Sequence, residues 1–162
     1  MNKILIGKKQ ENIEPINVKV NGKVYETYED KSLLRFLRDD LHMHSVKDGC
    51  SQGACGTCTV LVGDASKRSC VVKLSKLGDT EVLTNEGLTD KEKEAFTYAF
   101  TKAGAVQCGF CIPGMVMSGL AVIRKNPDPT EEEVRKGIKG NICRCTGYKK
   151  IVEGILMAAA IL

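Results

Sequence analysis

An α+β unit followed by an all-α unit is the fold that this sequence predicts, and three observations predict it. Two alternating apolar segments meet at Asn21-Gly22, a pair that favours the positive φ angles of a tight hairpin turn. From residue 89 onward the apolar spacing is helical only and is introduced by capping boxes. Eight cysteines fall into two dissimilar sets of four, one in each part, and account for every cysteine in the chain.

The elements follow in order. Residues 1–12 turn polar after a short apolar run and read as an irregular tail. Ile16, Val18 and Val20 alternate, as do residues 24 to 28, which gives the hairpin. Ser32 or Asp30 can cap a helix that buries Leu33, Leu34, Phe36, Leu37 and Leu41 along one stripe. Strands are expected at 58–62, 70–74 and 81–84, so that residues 13–88 form a sheet with a helix on one face. Past Leu88, Thr89-x-x-Glu92 opens a helix carrying Ala95, Phe96, Ala99 and Phe100, and Gly104 stops it. Pro113 suits the first turn of a second helix, which Asn126-Pro-Asp-Pro129 ends. Thr130-x-x-Glu133 opens a third, and Ile151, Val152, Ile155 and Leu156 mark a fourth, so residues 89–162 read as a four-helix unit.

Composition narrows the class. The chain has 162 residues, 43% apolar, with 24 basic and 20 acidic side chains and a formal charge of +4. The charge is spread along the chain, and no basic run suggests a nucleic-acid arm. The opening MNKILIGKKQEN has only a three-residue apolar run between lysines, so no secretory leader is read there. The apolar end, IVEGILMAAAIL, is too short to span a bilayer and carries Glu153. A cytoplasmic protein with reduced thiols that bind metal is expected, in preference to four disulfides.

The first set, Cys50-x4-Cys55-x2-Cys58-x11-Cys70, lies in the glycine-rich string KDGCSQGACGTC. A C-x4-C-x2-C…C run is the spacing of a plant-type [2Fe–2S] ferredoxin site. Gly49, Gly53 and Gly56 let the chain bend and bring N–H groups close to sulfur. A zinc site usually draws its cysteines in CxxC pairs, and only Cys55 and Cys58 are so spaced. The second set, Cys108-x2-Cys111 and Cys143-x-Cys145, is less diagnostic: zinc, a cluster, or a redox dithiol at Cys108 and Cys111 all suit the spacing. Both pairs precede expected helix N-termini, whose N–H groups favour thiolates and negative charge. His42 and His44 read as surface or packing residues, because each site already has four cysteines. Helical spacing puts Met117 in a core, whereas Tyr148 could either pack or line a contact.

The strings GCSQGACGTCTVLV, VQCGFCIPGMVM and GNICRCTGYKKIVE resemble the two-cluster subunit or domain of the molybdenum hydroxylases, the xanthine dehydrogenase and aldehyde oxidoreductase family. The resemblance runs from about residue 16 to residue 160 and keeps all eight cysteines in order. It implies a β-grasp ferredoxin-like domain, then a four-helix domain with a second [2Fe–2S] cluster. It also implies a molybdenum–pterin cofactor on a partner subunit, from which electrons pass through both clusters to a flavin (FAD) subunit or other acceptor. Gln107 is similar to the family glutamine that hydrogen-bonds the pterin, and Cys145 to the ligand nearest that cofactor. Thr57 and Ile112 depart from the residues most usual in the family. GCSQGACGTCTV and CGFCIPGMV are most similar to the selenium-dependent purine hydroxylase branch, in which the relay is often fused to the molybdenum domain. A free-standing ferredoxin serving transient partners is the alternative function. The resemblance implies hydroxylation of a purine, another N-heterocycle or an aldehyde by the complex, with no catalytic residue in this chain.

Overall fold

The computed structural model describes residues 3–162. Lys3–Ile6 forms strand β1, where the sequence reads as an irregular tail; Met1 and Asn2 lie outside the described residues. β2 (Ile16–Val20) and β3 (Lys23–Thr27) form the expected hairpin, with Asn21 at φ 48° and Gly22 at φ 77°. β1 pairs in parallel with β3, Lys3 opposite Val24. Helix α1 (Leu33–Arg35) continues directly into a π-helical turn at Phe36–Asp40. Ser32 caps it, its hydroxyl accepting the Arg35 N–H at 3.4 Å. Asp30, the other candidate, instead accepts the N–H and hydroxyl of Ser75.

β4 (Thr59–Val62), β5 (Ala65–Arg68) and β6 (Glu81–Leu83) complete one mixed sheet in the order β1-β3-β2-β6-β4-β5. The strand expected at 70–74 is not there. Pairing with β4 ends at Arg68 opposite Thr59, and a 3-10 turn, Ser69–Val71, follows. Ser69 holds that turn by giving both its N–H and its hydroxyl to the carbonyl of Cys58, at 3.2 and 2.8 Å. Val71 points out and is 62% exposed, so the Val71-Val72 pair imitates a strand without being buried as one.

Four helices follow: α2 (Asp90–Lys102), α3 (Ile112–Lys125), α4 (Glu131–Gly137) and α5 (Lys149–Ile161). Both capping boxes form. The Thr89 hydroxyl accepts the Glu92 N–H at 3.2 Å, and the Glu92 carboxylate accepts the Thr89 N–H at 2.9 Å. Thr130 and Glu133 make the same reciprocal pair. Pro113 lies in the first turn of α3, where no N–H donor is needed.

Two apolar cores result. Val18, Val20, Val60 and Val82 of the sheet pack against Leu33, Leu34, Phe36 and Leu37. Phe96, Phe100, Met115, Met117, Leu120, Ile151 and Ile155 form the other core between the helices. A fully buried Ile such as Ile155 contributes roughly 1.5–3 kcal/mol relative to an exposed one. β4 serves both cores: Val60 faces the first and Leu61 the second. Its residues Thr59, Val60 and Leu61 are therefore buried in succession, as in a strand covered on both faces.

The seam between sheet and helices is close. Gly56 sits at φ 74°, and a Cβ there would meet the Gly140 carbonyl and lie 2.8 Å from Asn141 Cα. Buried Asn141 fills the seam: its amide donates to the Gly56 carbonyl at 2.9 Å and to Thr59 Oγ1 at 3.3 Å, and its carbonyl accepts from Ser118 at 2.7 Å. This packing sets the two cysteine loops side by side.

Candidate iron–sulfur sites

The first loop is shaped at its start by Asp48, whose carboxylate accepts the Ser51 N–H at 2.9 Å and hydroxyl at 2.6 Å. Ser51 takes φ 51° there, so the chain folds back over Cys50. Cys50 Sγ then accepts the N–H groups of Gln52 and Cys55, both at 3.4 Å. Those donors, Gln52 first, lower the Cys50 thiol to about 6, well into the range where a thiolate forms. Cys70 reaches the loop from the 3-10 turn after β5, and its sulfur accepts the Gly53 N–H at 3.2 Å. Burial, followed by its neighbour Cys58, pushes Cys70 up to about 11. Cys55 Sγ lies 3.2 Å from the Thr57 hydroxyl.

The second set comes from two loops of the helical half. Cys111 is the N-cap of α3, with Cys108 just before it. Cys143 and Cys145 precede α5, whose cap, Tyr148, sits at φ 71°. The Tyr148 hydroxyl accepts the Cys143 N–H at 3.0 Å. Tyr148 thus folds back onto the Cys143–Cys145 loop and supports it. Cys143 Sγ is held by Thr146, with Oγ1 at 3.1 Å and N at 3.5 Å. Burial works to raise the Cys143 thiol, but Thr146 and the neighbouring N–H groups outweigh it and hold it low. Burial and the Cys143 thiol beside it drive Cys111 up to about 12. Cys108 and Cys145 approach to 3.6 Å between sulfurs. The Phe110 N–H, then Cys145, lowers Cys108, while Cys145 is raised chiefly by Cys108.

The thiols meet in twos: Cys50 with Cys55, Cys58 with Cys70, Cys108 with Cys145 and Cys111 with Cys143. Among the described residues, the His, Cys, Asp and Glu side chains form no group of three or more gathered for a single metal ion. Pairs of thiols in each of two groups, with backbone N–H groups aimed at sulfur, suit a binuclear iron–sulfur centre, which takes two thiolates per iron.

The two sets are tied together. The Ile142 N–H donates to the Cys55 carbonyl at 2.8 Å. Arg68 donates to carbonyls of both loops, Gly53 and Gly140. Lys47 spans the same gap, its Nζ 5.2 Å from the Phe110 ring centre and 3.5 Å from the Gly109 carbonyl. Cys108 and Cys145 face outward, and Gln107 beside them is exposed. Val106, Phe110 and Ile142, the chain neighbours of Gln107, Cys111 and Cys143, are each about half exposed.

His42 and His44 lie on the surface, their ring centres 6.2 Å apart. Met43 between them turns inward beneath Asn21 and Thr84. Met117 is fully buried, and so is Met115. Sequence reasoning passed over Thr146, Asn141 and Arg68. Their signals are weak because a Thr, Asn or Arg next to a loop is ordinary, and only the fold brings them to sulfur or to a distant carbonyl.

Comparisons with known proteins show the family. Residues 18–95 match the 2Fe-2S iron-sulfur cluster binding domain, and residues 84–156 match a second family, the [2Fe-2S] binding domain. The nicotinate dehydrogenase small FeS subunit of Eubacterium barkeri is 42% identical over 146 residues, covering 88% of this chain and 93% of that one. The nicotine 6-hydroxylase small subunit of Paenarthrobacter nicotinovorans is 40% identical, covering 88% of each. Quinoline 2-oxidoreductase of Pseudomonas putida 86 superposes with a TM-score of 0.82 at 35% identity, over 93% of this chain and 96% of that chain. The aldehyde oxidoreductase of Desulfovibrio gigas superposes with a TM-score of 0.85 at 35% identity, over 92% of this chain and 17% of that longer one. With these thiol pairs and these relatives, the chain belongs to the family of small iron–sulfur subunits that transfer electrons in the molybdenum hydroxylases.

Proposed function

We propose that Cys50, Cys55, Cys58 and Cys70 hold one [2Fe–2S] cluster and that Cys108, Cys111, Cys143 and Cys145 hold a second. The single observation that carries this is the meeting of the eight thiols as four pairs, two pairs in each group. When bound, the clusters carry single electrons from a molybdenum–pterin site on a partner subunit toward a flavin subunit or other acceptor.

The chain's own residues orient that traffic. Cys145 and Gln107 are exposed, and the half-exposed apolar residues Val106, Phe110 and Ile142 lie beside this second set in the chain. No hydrogen bond ties the Gln107 side chain to another described residue, so its amide is free to pair with pterin polar atoms across an interface. These half-exposed apolar residues favour a lasting subunit contact over the charged face of a transient ferredoxin. Within this reading, residues 13–88, extended back to β1, form a β-grasp ferredoxin-like domain, and residues 89–162 form a four-helix domain.

The names of the relatives, which include nicotinate, nicotine and quinoline, support an N-heterocycle as the substrate of the complex. Purines fall in that class, which keeps the selenium-dependent purine hydroxylase branch within it; an aldehyde is the other candidate. A reducing cytoplasmic setting goes with this reading, because thiolates that hold metal must stay reduced; no described helix is long and apolar enough to cross a membrane. The test is anaerobic purification from the native source. Four iron and four acid-labile sulfide per chain, with a molybdenum subunit co-purifying, are expected. Stoichiometric zinc without sulfide refutes the cluster reading, and a chain that migrates alone refutes the subunit reading.

A further inference from the structure

We propose that the hydroxyl of Thr57 sets the reduction potential of the first cluster by donating a hydrogen bond to the sulfur of Cys55. The inference rests on the ligand assignment above. Thr57 is a polar side chain only 5% exposed, with Oγ1 3.2 Å from Cys55 Sγ and 3.1 Å from the Lys47 carbonyl. Gly49 closes the other side: a Cβ there would lie 2.9 Å from Thr57 Oγ1 and 3.0 Å from Cys55 Sγ. Hydroxyl and sulfur therefore face each other in a space that admits no further side chain.

The sulfurs of Cys50 and Cys70 receive backbone N–H groups, which any residue supplies. The partner of Cys55 is different, because it is a side-chain hydroxyl and so depends on which residue occupies position 57. A hydroxyl has one proton to give and here has two acceptors. While Cys55 is a thiol, its S–H can donate to Thr57 Oγ1 and the hydroxyl can serve Lys47. A metal-bound thiolate has no proton, so only the hydroxyl can donate between them. A bond to an ionised acceptor is about twice as strong as one to a neutral carbonyl, which turns the proton toward sulfur.

The redox consequence follows from charge. One electron entering the cluster adds one negative charge, shared with the ligand sulfurs, and breaks no covalent bond. A donor held against sulfur stabilises the reduced form more than the oxidised form and raises the potential. Burial of the Thr57 hydroxyl strengthens the effect, since a donor held away from water acts in a lower local dielectric.

The experiment compares wild type, Thr57→Val, Thr57→Ala and Thr57→Ser in the intact, cluster-loaded complex. Redox titration followed by EPR reads each cluster separately. Thr57→Val keeps the shape and removes the donor, and its first cluster should be reduced about tenfold less favourably, a fall of about 59 mV for one electron. Thr57→Ala should fall in the same direction, Thr57→Ser should stay near wild type, and the second cluster should not move in any of them. In wild type, transfer to D2O should shift the iron–sulfur(Cys) stretching band, and Thr57→Val should lose that component. An unchanged potential in Thr57→Val and Thr57→Ala overturns the proposal, as does an equal fall in Thr57→Ser, which would assign the effect to packing. Should Thr57→Val fail to load its cluster, the Ala and Ser pair and the wild-type isotope shift decide. Failure of the ligand assignment looks different: Cys55→Ser would then leave both EPR signals intact.

Discussion

Replacing Gly56 by alanine strikes the seam between sheet and helices at its narrowest point. Two costs can be worked from the structure. Gly56 holds φ 74°, where a residue with a Cβ loses roughly 1–2 kcal/mol. The new Cβ also points at the Gly140 carbonyl and at Asn141, whose Cα would be 2.8 Å away, so the Gly140–Asn141 turn must retreat. Retreat breaks the 2.9 Å bond from the Asn141 amide to the Gly56 carbonyl, and a buried donor left short of a partner costs about 1–3 kcal/mol. The total is about 2–5 kcal/mol, or a fall of about 4–20 °C in the thermal midpoint at roughly 2–4 °C per kcal/mol for a chain of this length. Gly104→Ala is the matched control. Gly104 has φ 64° but no atom within 4 Å of an added Cβ, so it incurs the backbone cost alone, about 2–8 °C. Melts of the cluster-loaded protein, read by far-ultraviolet circular dichroism and by visible cluster absorbance, give both numbers. Equal falls in the two variants would refute the claim that contact across the seam, and not the backbone angle, governs this position.

Three further outcomes are expected. Cys55→Ser should remove or convert only the first EPR signal and Cys111→Ser only the second; loss of both signals from one change in a folded protein would mean the thiols are wrongly grouped. Gln107→Leu should leave both clusters assembled but weaken pterin retention or slow reduction of the second cluster, at roughly 1–3 kcal/mol for stranded polar atoms. Unchanged pterin occupancy and electron-transfer rate would remove Gln107 from the interface. Tyr148→Phe takes away the acceptor of the Cys143 N–H, so the EPR line shape and potential of the second cluster should shift, with little change in the first.

What could be read in the sequence was whatever short-range chemistry decides. Asn21-Gly22 announces its turn because both residues tolerate positive φ, and Thr89-Glu92 and Thr130-Glu133 announce helix starts because each pair satisfies its own N–H groups. The cysteine spacing exposed the candidate site for the same reason, since three of the first four thiols come from one loop. Long-range pairing was not legible. β1 gains its place by lying parallel to β3, and its Ile4 and Leu5 stay nearly half exposed, so no alternation marks it. β5 reads Ala-Ser-Lys-Arg, an exposed edge strand without a single large apolar residue. Val71 and Val72 drew the strand assignment instead, because β propensity is a property of residues whereas the end of a ladder is decided by Ser69 and Cys58. Arg68 was invisible as a site residue, and Thr57 stood out only as a departure from the family's usual residue, because the bonds they make become visible only in the folded chain.

Arg68 gives that unassuming edge strand a second duty. β4 and β5 are joined by Gly63 and Asp64 alone, and the register places Arg68 opposite Thr59. A strand shifted by one residue turns every side chain to the other face. Any change that slips the β4–β5 register by one residue would therefore swing the guanidinium away from Gly53 and Gly140 together, loosening both thiol loops at once. An exposed edge strand with no large apolar residue is thus the common abutment of both thiol loops, and its register with β4 is what keeps that abutment in place.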